Sequence, residues 1–441
     1  MADSSMRLVR LRSSGKVSRL MNSLQDSHQL KGIVPRNVTV VRGPNFSGRT
    51  DFLRAFAAAA AGHSGNNNNG LGAYVPAEVY NSLSGLAVTV KEEIELHAQS
   101  VACLASAQHL FSELGIDHLY GRSPFTLSGG EQALLAVTSA LALQPRHLAV
   151  DCALEQLDTD FRTATLNYIE SARHADATIL IADNRLAEYR MASSAWLAVD
   201  MSPAPERGAG SLTFPSGMAT SIPKPVKITL DGLSFKYPGG ADVLRNVSTD
   251  LEPGNIYLLS GKNGTGKSTL AKLLCGVLRP TKGKIVFDNR ETEPWKAPGQ
   301  TVAYHFQNPD LQLFAMSVDE ELQLGLQATK TAAQPGILTK DSLLALFALR
   351  GLLEEHPLDL PFVLRKRVAM AATLAMHCSW VILDEPTLGQ DQASIRTIAE
   401  VINLLAGNGL GVVIINHSDE FRSLLAKPKT LRLSGAGGLV Q

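Results

Sequence analysis

Apolar and polar positions along this chain follow two alternating periods. Short continuous apolar runs occur at Val38-Thr-Val-Val41, Leu148-Ala-Val-Asp151, Ile179-Leu-Ile-Ala-Asp183, Ile256-Tyr-Leu-Leu259, Val381-Ile-Leu-Asp384 and Val413-Ile-Ile-Asn-His417. Runs this short and this apolar read as strands buried on both faces. Between them lie stripes of helical period, such as Leu270, Leu273, Leu274, Val277 and Leu278. The stretches 133–143 and 368–376 also read as helices, each just before an apolar run that ends in Asp. Strands alternating with helices predict an α/β fold with a largely parallel sheet, whose chemistry sits at the carboxyl ends of the strands.

The pattern occurs twice. A Pro-, Gly- and Ser-rich stretch from about 202 to 226 reads as a linker between domains 1–201 and 227–441. Val38–Val41 and the loop after it recur 218 residues later. Leu148–Asp151 recurs at an offset of 233, and Ile179–Asp183 is matched to Val413–His417 at 234. Near-constant offsets predict an internal duplication, with about fifteen extra residues in the second half between its loop and Asp384.

Length and composition narrow the function classes. The 441 residues suit two domains, and 41 basic against 41 acidic residues argue against a nucleic-acid binder. No apolar run approaches the length of a membrane span, and Met1-Ala-Asp-Ser-Ser-Met6 holds no signal-peptide core. Cys103, Cys152, Cys275 and Cys378 lie too far apart in sequence for a metal motif or a disulfide framework. A cytosolic setting is expected.

The strongest chemical signal is Gly261-Lys262-Asn263-Gly264-Thr265-Gly266-Lys267-Ser268-Thr269, placed after a strand and before a helix. Such a loop turns backbone N–H groups inward around phosphate oxygens. Its Lys reaches the β- and γ-phosphates and its Ser ligates magnesium. Asp384 ends an apolar run, so its carboxylate emerges at the sheet edge, where it can hold magnesium. Glu385 follows it and is a candidate general base for an attacking water. Gln307 and His417 are candidates to sense magnesium and water and to bond the γ-phosphate.

Taken together these residues resemble the ATP-binding cassette ATPases. The second half shows that family's Walker A loop (261–269), Gln307 of its Q-loop, Asp384 ending Walker B, Glu385, a D-loop-like Leu388-Gly-Gln-Asp391 and the switch His417. Tyr237 matches the aromatic residue that stacks on adenine. The first half carries the family signature, Leu127-Ser128-Gly129-Gly130-Glu131-Gln132. The resemblance implies two tandem nucleotide-binding domains packed head to tail, each a P-loop NTPase core with a helical subdomain. ATP and Mg2+ are the implied ligands, with Ser268, Gln307 and Asp384 around the metal.

Each half lacks what the other keeps. The first loop reads Gly43-Pro44-Asn45-Phe46-Ser47-Gly48-Arg49-Thr50, with Arg49 in place of the lysine and Phe46 in place of a glycine. Asp151 remains, but Cys152 stands at the glutamate position and Asp183 is matched to the histidine. Ala77 or Glu78 falls where the glutamine belongs. The second half's signature position reads Leu360-Pro-Phe-Val-Leu-Arg365, without its Ser and Gly residues. In this family each site joins one partner's Walker motifs to the other's signature. That rule implies an intrachain pseudo-dimer with one whole catalytic site and one degenerate site.

The run Gln307-Asn-Pro-Asp-Leu-Gln-Leu-Phe-Ala315, then Ser317-Val-Asp-Glu-Glu321, resembles the ATPases of energy-coupling-factor and cobalt-type importers, with an echo at Thr89-Val-Lys-Glu-Glu93. This implies a transmembrane coupling protein and a membrane substrate-binding subunit as partners. It also implies a peripheral place on the cytoplasmic face of the membrane, one copy per transporter, and a vitamin, vitamin precursor or transition metal ion as cargo. The alternative is a soluble tandem cassette ATPase acting on ribosomes or another non-transport partner.

Overall fold

In the computed structural model the described residues are 37–43, 45, 47–59, 72–98, 101–113, 116–173, 177–184, 197–200, 225–328, 338–434 and 437–440. The chain divides into two units, Met1–Arg207 and Gly208–Gln441. The expected linker lies, through residue 224, outside the described residues, as do Pro44 and Phe46 of the first loop.

The first unit holds a five-stranded sheet. Its strands are β1 (Val38–Arg42), β2 (Gly72–Val75), β3 (His147–Asp151), β4 (Thr178–Ala182) and β5 (Leu197–Asp200), in the order β2-β3-β4-β1-β5. All four pairings are parallel. β1, β3 and β4 are buried along almost their whole length, as continuous apolar runs require when helices cover both faces. Helix α1 (Arg49–Ala59) follows the first loop. Helices α2 (Val90–His97), α3 (Val101–Glu113) and α4 (Gly129–Ala142) form the segment between β2 and β3. α4 is buried from Ala133 to Ala142 and forms the centre of the unit's main core with Val79, Ile94 and Phe111.

The second unit repeats the plan and adds to it. Strands β6 (Ile228–Lys236), β7 (Asp242–Leu251), β9 (Lys282–Phe287) and β10 (Arg290–Thr292) make an antiparallel sheet. The main sheet runs β11-β12-β13-β8-β14-β15, from β8 (Ile256–Ser260), β11 (Val302–His305), β12 (Trp380–Asp384), β13 (Gly411–Ile415), β14 (Lys429–Leu433) and β15 (Leu439–Val440). Its first five strands match the first unit's five in order, and only the β14–β15 pair is antiparallel. Helix α5 (Lys267–Leu274) follows β8, α6 (Val318–Gln327) follows β11, and α7 (Phe362–Ala375) precedes β12. Trp380 is fully buried and its indole donates to the Val226 carbonyl at 2.6 Å, which pins the start of this unit to the middle of the sheet.

The ladders align the two units residue by residue and correct one expectation. Asp151 pairs with Ala182, and Asp384 pairs with Ile415. The offset from β4 to β13 is therefore 233, the same as from Asp151 to Asp384. The counterpart of His417 is Asn184, and Asp183 corresponds to Asn416. Both runs end in polar residues, so apolar pattern alone leaves a one-residue slip, whereas the parallel hydrogen-bond register does not. The same logic settles the glutamine position. Val75 pairs with Val150 and His305 with Leu383, so Gln307 corresponds to Ala77 rather than Glu78.

Candidate functional site

The second unit's phosphate loop is shaped by positive backbone angles. Gly261 has φ +148° and Gly266 φ +95°. A Cβ at Gly266 would stand 2.8 Å from Val243 Cγ1, and one at Gly261 would stand 2.8 Å from the Leu433 carbonyl oxygen. Neither the angle nor the space admits a side chain at Gly266. Asn263 and Gly264 complete the turn, with Gly264 at φ +78°. Thr265 Oγ1 donates to the Lys262 carbonyl at 2.8 Å, closing the loop from within. Lys267 is buried and donates to the carbonyls of Gly261 (2.8 Å) and Lys262 (3.1 Å), which points its ammonium back across the loop. Thr269 Oγ1 lies 3.2 Å from the Tyr237 hydroxyl, which brings that half-exposed ring beside the start of α5.

Asp384 closes the site from β12. Its Oδ2 accepts from Ser268 Oγ at 3.0 Å and from the Tyr304 hydroxyl at 2.7 Å. Its Oδ1 is buried and has no hydrogen-bond partner. Burial raises the carboxyl pKa above the ordinary carboxylate range, while the bonds from Tyr304 and Ser268 pull it back. A buried carboxylate oxygen with spare acceptor capacity, beside a Ser hydroxyl, fits a hard divalent cation and its water. Gln307 follows β11 by two residues. Its carbonyl accepts from Lys366 Nζ of α7 at 3.0 Å. Gln312 then ties the same segment to α7 through the Ala369 carbonyl and Thr373. The Q-loop is thereby attached to the helical part of the unit.

Glu385 has φ +48°, in the left-handed region that non-glycine residues rarely occupy. Its N–H donates to the Ile415 carbonyl at 2.8 Å, which holds the strained turn against β13. The side chain is buried, and Oε1 lies 3.7 Å from His417 Nε2. Such strain, kept by surrounding bonds, gathers where function requires it. Asp391 caps the next helix, accepting from the Ser394 N–H at 2.9 Å.

The first unit keeps this frame and changes its chemistry. Asp151 Oδ2 accepts from Thr50 Oγ1 (2.7 Å) and from the Tyr74 hydroxyl (3.1 Å), the same two positions that serve Asp384. Cys152 repeats the strained angle, φ +54°, and its N–H donates to the Ala182 carbonyl at 2.8 Å. Gly48 repeats the positive angle of Gly266 at φ +80°. Gly43, Asn45 and Ser47 occupy the remaining described loop positions. Burial raises the Cys152 thiol pKa well above its usual value, so the group is neutral and a poor nucleophile. Asp183 bonds Arg162 at 2.9 Å.

The signature segment of the first unit forms a helix start. Ser128 is the N-cap of α4. Its Oγ donates to Glu131 Oε2 at 2.9 Å and accepts from the Glu131 N–H at 3.4 Å, while Glu131 Oε2 also accepts the Ser128 N–H at 2.7 Å. This capping box leaves Gly129 and Gly130 without side chains on the first turn. Gln132 Nε2 bonds the Pro124 carbonyl at 3.2 Å. At the matching place in the second unit Pro361 is the N-cap of α7 and makes no side-chain cap bond. Phe362 follows and is buried.

Tyr304 and Tyr74 escaped the motif reading, although they stand at matched positions one strand away from each Asp. The repeat was the signal that could have found them.

Residues 244–388 match the family model described as ABC transporter. A putative ABC transporter ATP-binding protein of Treponema denticola is 28% identical over 357 residues, covering 75% of this chain and 70% of that protein. The energy-coupling factor transporter ATP-binding protein EcfA1 of Thermotoga maritima is 35% identical over 196 residues, 44% of this chain and 74% of that protein. Among solved structures, the archaeal ribosome recycling factor aABCE1, in complex with the ribosomal stalk protein aP1, aligns with TM-score 0.58 at 20% identity, over 91% of this chain and 83% of that one. That likeness is one of fold. Parallel sheets, phosphate loop, strand-end carboxylates and relatives together place this chain in the ABC transporter family of ATP-binding cassette ATPases, enzymes that hydrolyse ATP.

Proposed function

We propose that this chain is the ATP-hydrolysing subunit of an energy-coupling-factor-type importer, acting through one catalytic composite site at the cytoplasmic face of a membrane. One observation carries the transport reading. Phe314, Met316 and Leu324 are exposed, at 76%, 70% and 50%, in the segment that follows Gln307. Their counterparts 228 residues earlier, Leu86, Val88 and Leu96, are exposed at 63%, 71% and 49%. Large apolar side chains left in water at the same positions of both units mark a surface that a partner covers. Each patch is rigidly built. Glu321 Oε2 accepts the N–H groups of Phe314 and Ala315 at 2.8 Å, and Glu93 accepts the N–H and the hydroxyl of Ser84 at 2.7 and 2.6 Å. Apolar helices of a transmembrane coupling protein fit such patches, and a membrane substrate-binding subunit would bring the vitamin, vitamin precursor or metal-ion cargo. No described helix is long and apolar enough to cross a membrane by itself.

In this reading Ser268, Asp384 and Gln307 would hold Mg2+, which when bound would supply charge neutralisation for the phosphates. Lys267 exchanges its loop carbonyls for phosphate oxygens. Glu385 takes the proton of the attacking water, and His417 bonds the γ-phosphate. Tyr237 stacks on adenine. The signature 128–132 completes the site, since the second unit has lost its own. The attachment of Gln307 and Gln312 to α7 then links the state of the phosphate to the apolar patch.

A soluble tandem cassette ATPase is the alternative. It has in its favour the nearly full-length fold likeness to tandem chains such as the RNase-L inhibitor, TM-score 0.57 over 91% of this chain at 19% identity. The test is fractionation of the native complex. The expected outcome is co-purification with membrane proteins, lost in Phe314→Asp/Met316→Asp while ATP binding persists. Recovery with ribosomes, unaffected by that variant, would refute the importer.

A further inference from the structure

The first unit's phosphate loop contains a buried network that the catalytic unit lacks. Arg49 is only 8% exposed. Its Nη1 donates to the Gly43 carbonyl at 3.3 Å and to Asn184 Oδ1 at 3.1 Å, and its Nη2 lies 3.2 Å from Cys152 Sγ. The guanidinium therefore bridges three positions. They are the first loop residue, the counterpart of Glu385 and the counterpart of His417. In the second unit those are the positions read as facing the γ-phosphate and its water.

Other substitutions support this arrangement. Glu155 stands where the second unit has Leu388, and it is buried at 4%. Its Oε1 accepts both the N–H and the side-chain amide of Asn184 at 2.9 Å, which fixes Asn184 Oδ1 toward Arg49. Arg162 and Asp183 replace Ile395 and Asn416, and they pair at 2.9 Å while nearly fully buried. Isolated buried charges of this kind are strongly unfavourable, and removing one partner of a buried pair leaves the other uncompensated. Arg162 is held by Asp183, and Arg49 by Asn184, Cys152 and the Gly43 carbonyl. Lys267 also donates to carbonyls of its own loop, Gly261 and Lys262, whereas Arg49 reaches beyond its loop to Asn184 and Cys152.

We infer that Arg49 plugs the first unit's phosphate loop, so that this half-site does not load ATP. The Thr50–Asp151 bond survives there, yet a triphosphate can enter only by expelling the guanidinium from Asn184, Cys152 and the Gly43 carbonyl. Loss of hydrogen bonds made by this buried charged donor weakens nucleotide binding on the order of 10²–10³-fold relative to the second unit.

This inference rests on the cassette ATPase reading, and the experiment separates the two. Equilibrium dialysis of labelled ATP with Mg2+ is run on the full chain carrying Glu385→Gln, at ATP up to tenfold above the dissociation constant of the tight site. One ATP per chain is expected, falling to none with Lys267→Ala. In the double variant Arg49→Lys/Glu155→Leu, which restores the second unit's residue types and removes the carboxylate that orients Asn184, two are expected. Two ATP per chain before any change at Arg49 would overturn the plug while leaving the ATPase reading intact. One ATP per chain in the folded double variant would overturn Arg49 as the barrier. No bound ATP in the parent chain would overturn the ATPase reading and this inference with it.

Discussion

Tyr304→Phe removes one oxygen atom, and its consequence can be worked from the geometry. The Tyr304 hydroxyl donates to Asp384 Oδ2 at 2.7 Å from the adjacent strand, in a buried setting. A hydrogen bond to a charged group contributes about 1.5–3 kcal/mol. Burial already raises the Asp384 pKa, and loss of this donor raises it further, so a proton competes better with the cation. Partners of this kind, one step behind a metal ligand, typically contribute 10–100-fold in metal affinity. The magnesium concentration for half-maximal ATPase activity should therefore rise roughly 10–100-fold. Turnover at saturating magnesium should stay near the parent value, because Lys267, Glu385 and His417 are untouched. The assay is a magnesium titration of ATP hydrolysis in the assembled complex. Tyr74→Phe, which removes the matching bond to Asp151, is the control and should leave the titration unchanged. An unshifted midpoint for Tyr304→Phe, or equal shifts for the two variants, would refute the reasoning.

Glu385→Gln should retain ATP and lose turnover by about 10²–10⁴-fold, the usual effect of removing a general base; phosphate release near the parent rate would exclude that role. Ser128→Arg should stop turnover through bulk and charge at the proposed composite site, while Pro361→Arg should be mild. ATPase activity of both in the complex decides the pairing, and the reverse outcome would assign the working site to the wrong halves. Gly411→Ala should destabilise the second unit by about 1–3 kcal/mol, since an added methyl overlaps the ring of fully buried Trp380. Denaturant midpoints measure this, and an unchanged midpoint would show that the sheet relaxes around the indole.

Much of the site was legible because its signals are local. The phosphate loop is one contiguous stretch whose glycines answer to backbone angles, as Gly266 shows. Asp384 and Asp151 announced themselves by ending apolar runs, and both end strands. Ser128 and Glu131 stand at capping-box spacing, and the box forms. The slip at Asp183 had a physical origin. An apolar run marks where a strand is buried, whereas the pairing partner marks which residue stands opposite which. Only the β3–β4 ladder brought Asn184 to the histidine position.

By itself, then, the sequence determined the nucleotide-binding chemistry, the duplication and the α/β class, because these depend on neighbours a few residues apart. The tertiary structure decided what depends on distant residues meeting. Tyr304 reaches Asp384 across 80 residues, and Arg49 reaches Asn184 across 135. Nothing within a few residues of Arg49 distinguishes a phosphate ligand from a plug. The difference lies in Glu155 and Asn184, which the sheet order carries to its side. The exposure of Phe314 and Leu86 is likewise settled only by folding, which leaves them in water. An apolar side chain carries no mark of whether its own chain or a partner will cover it.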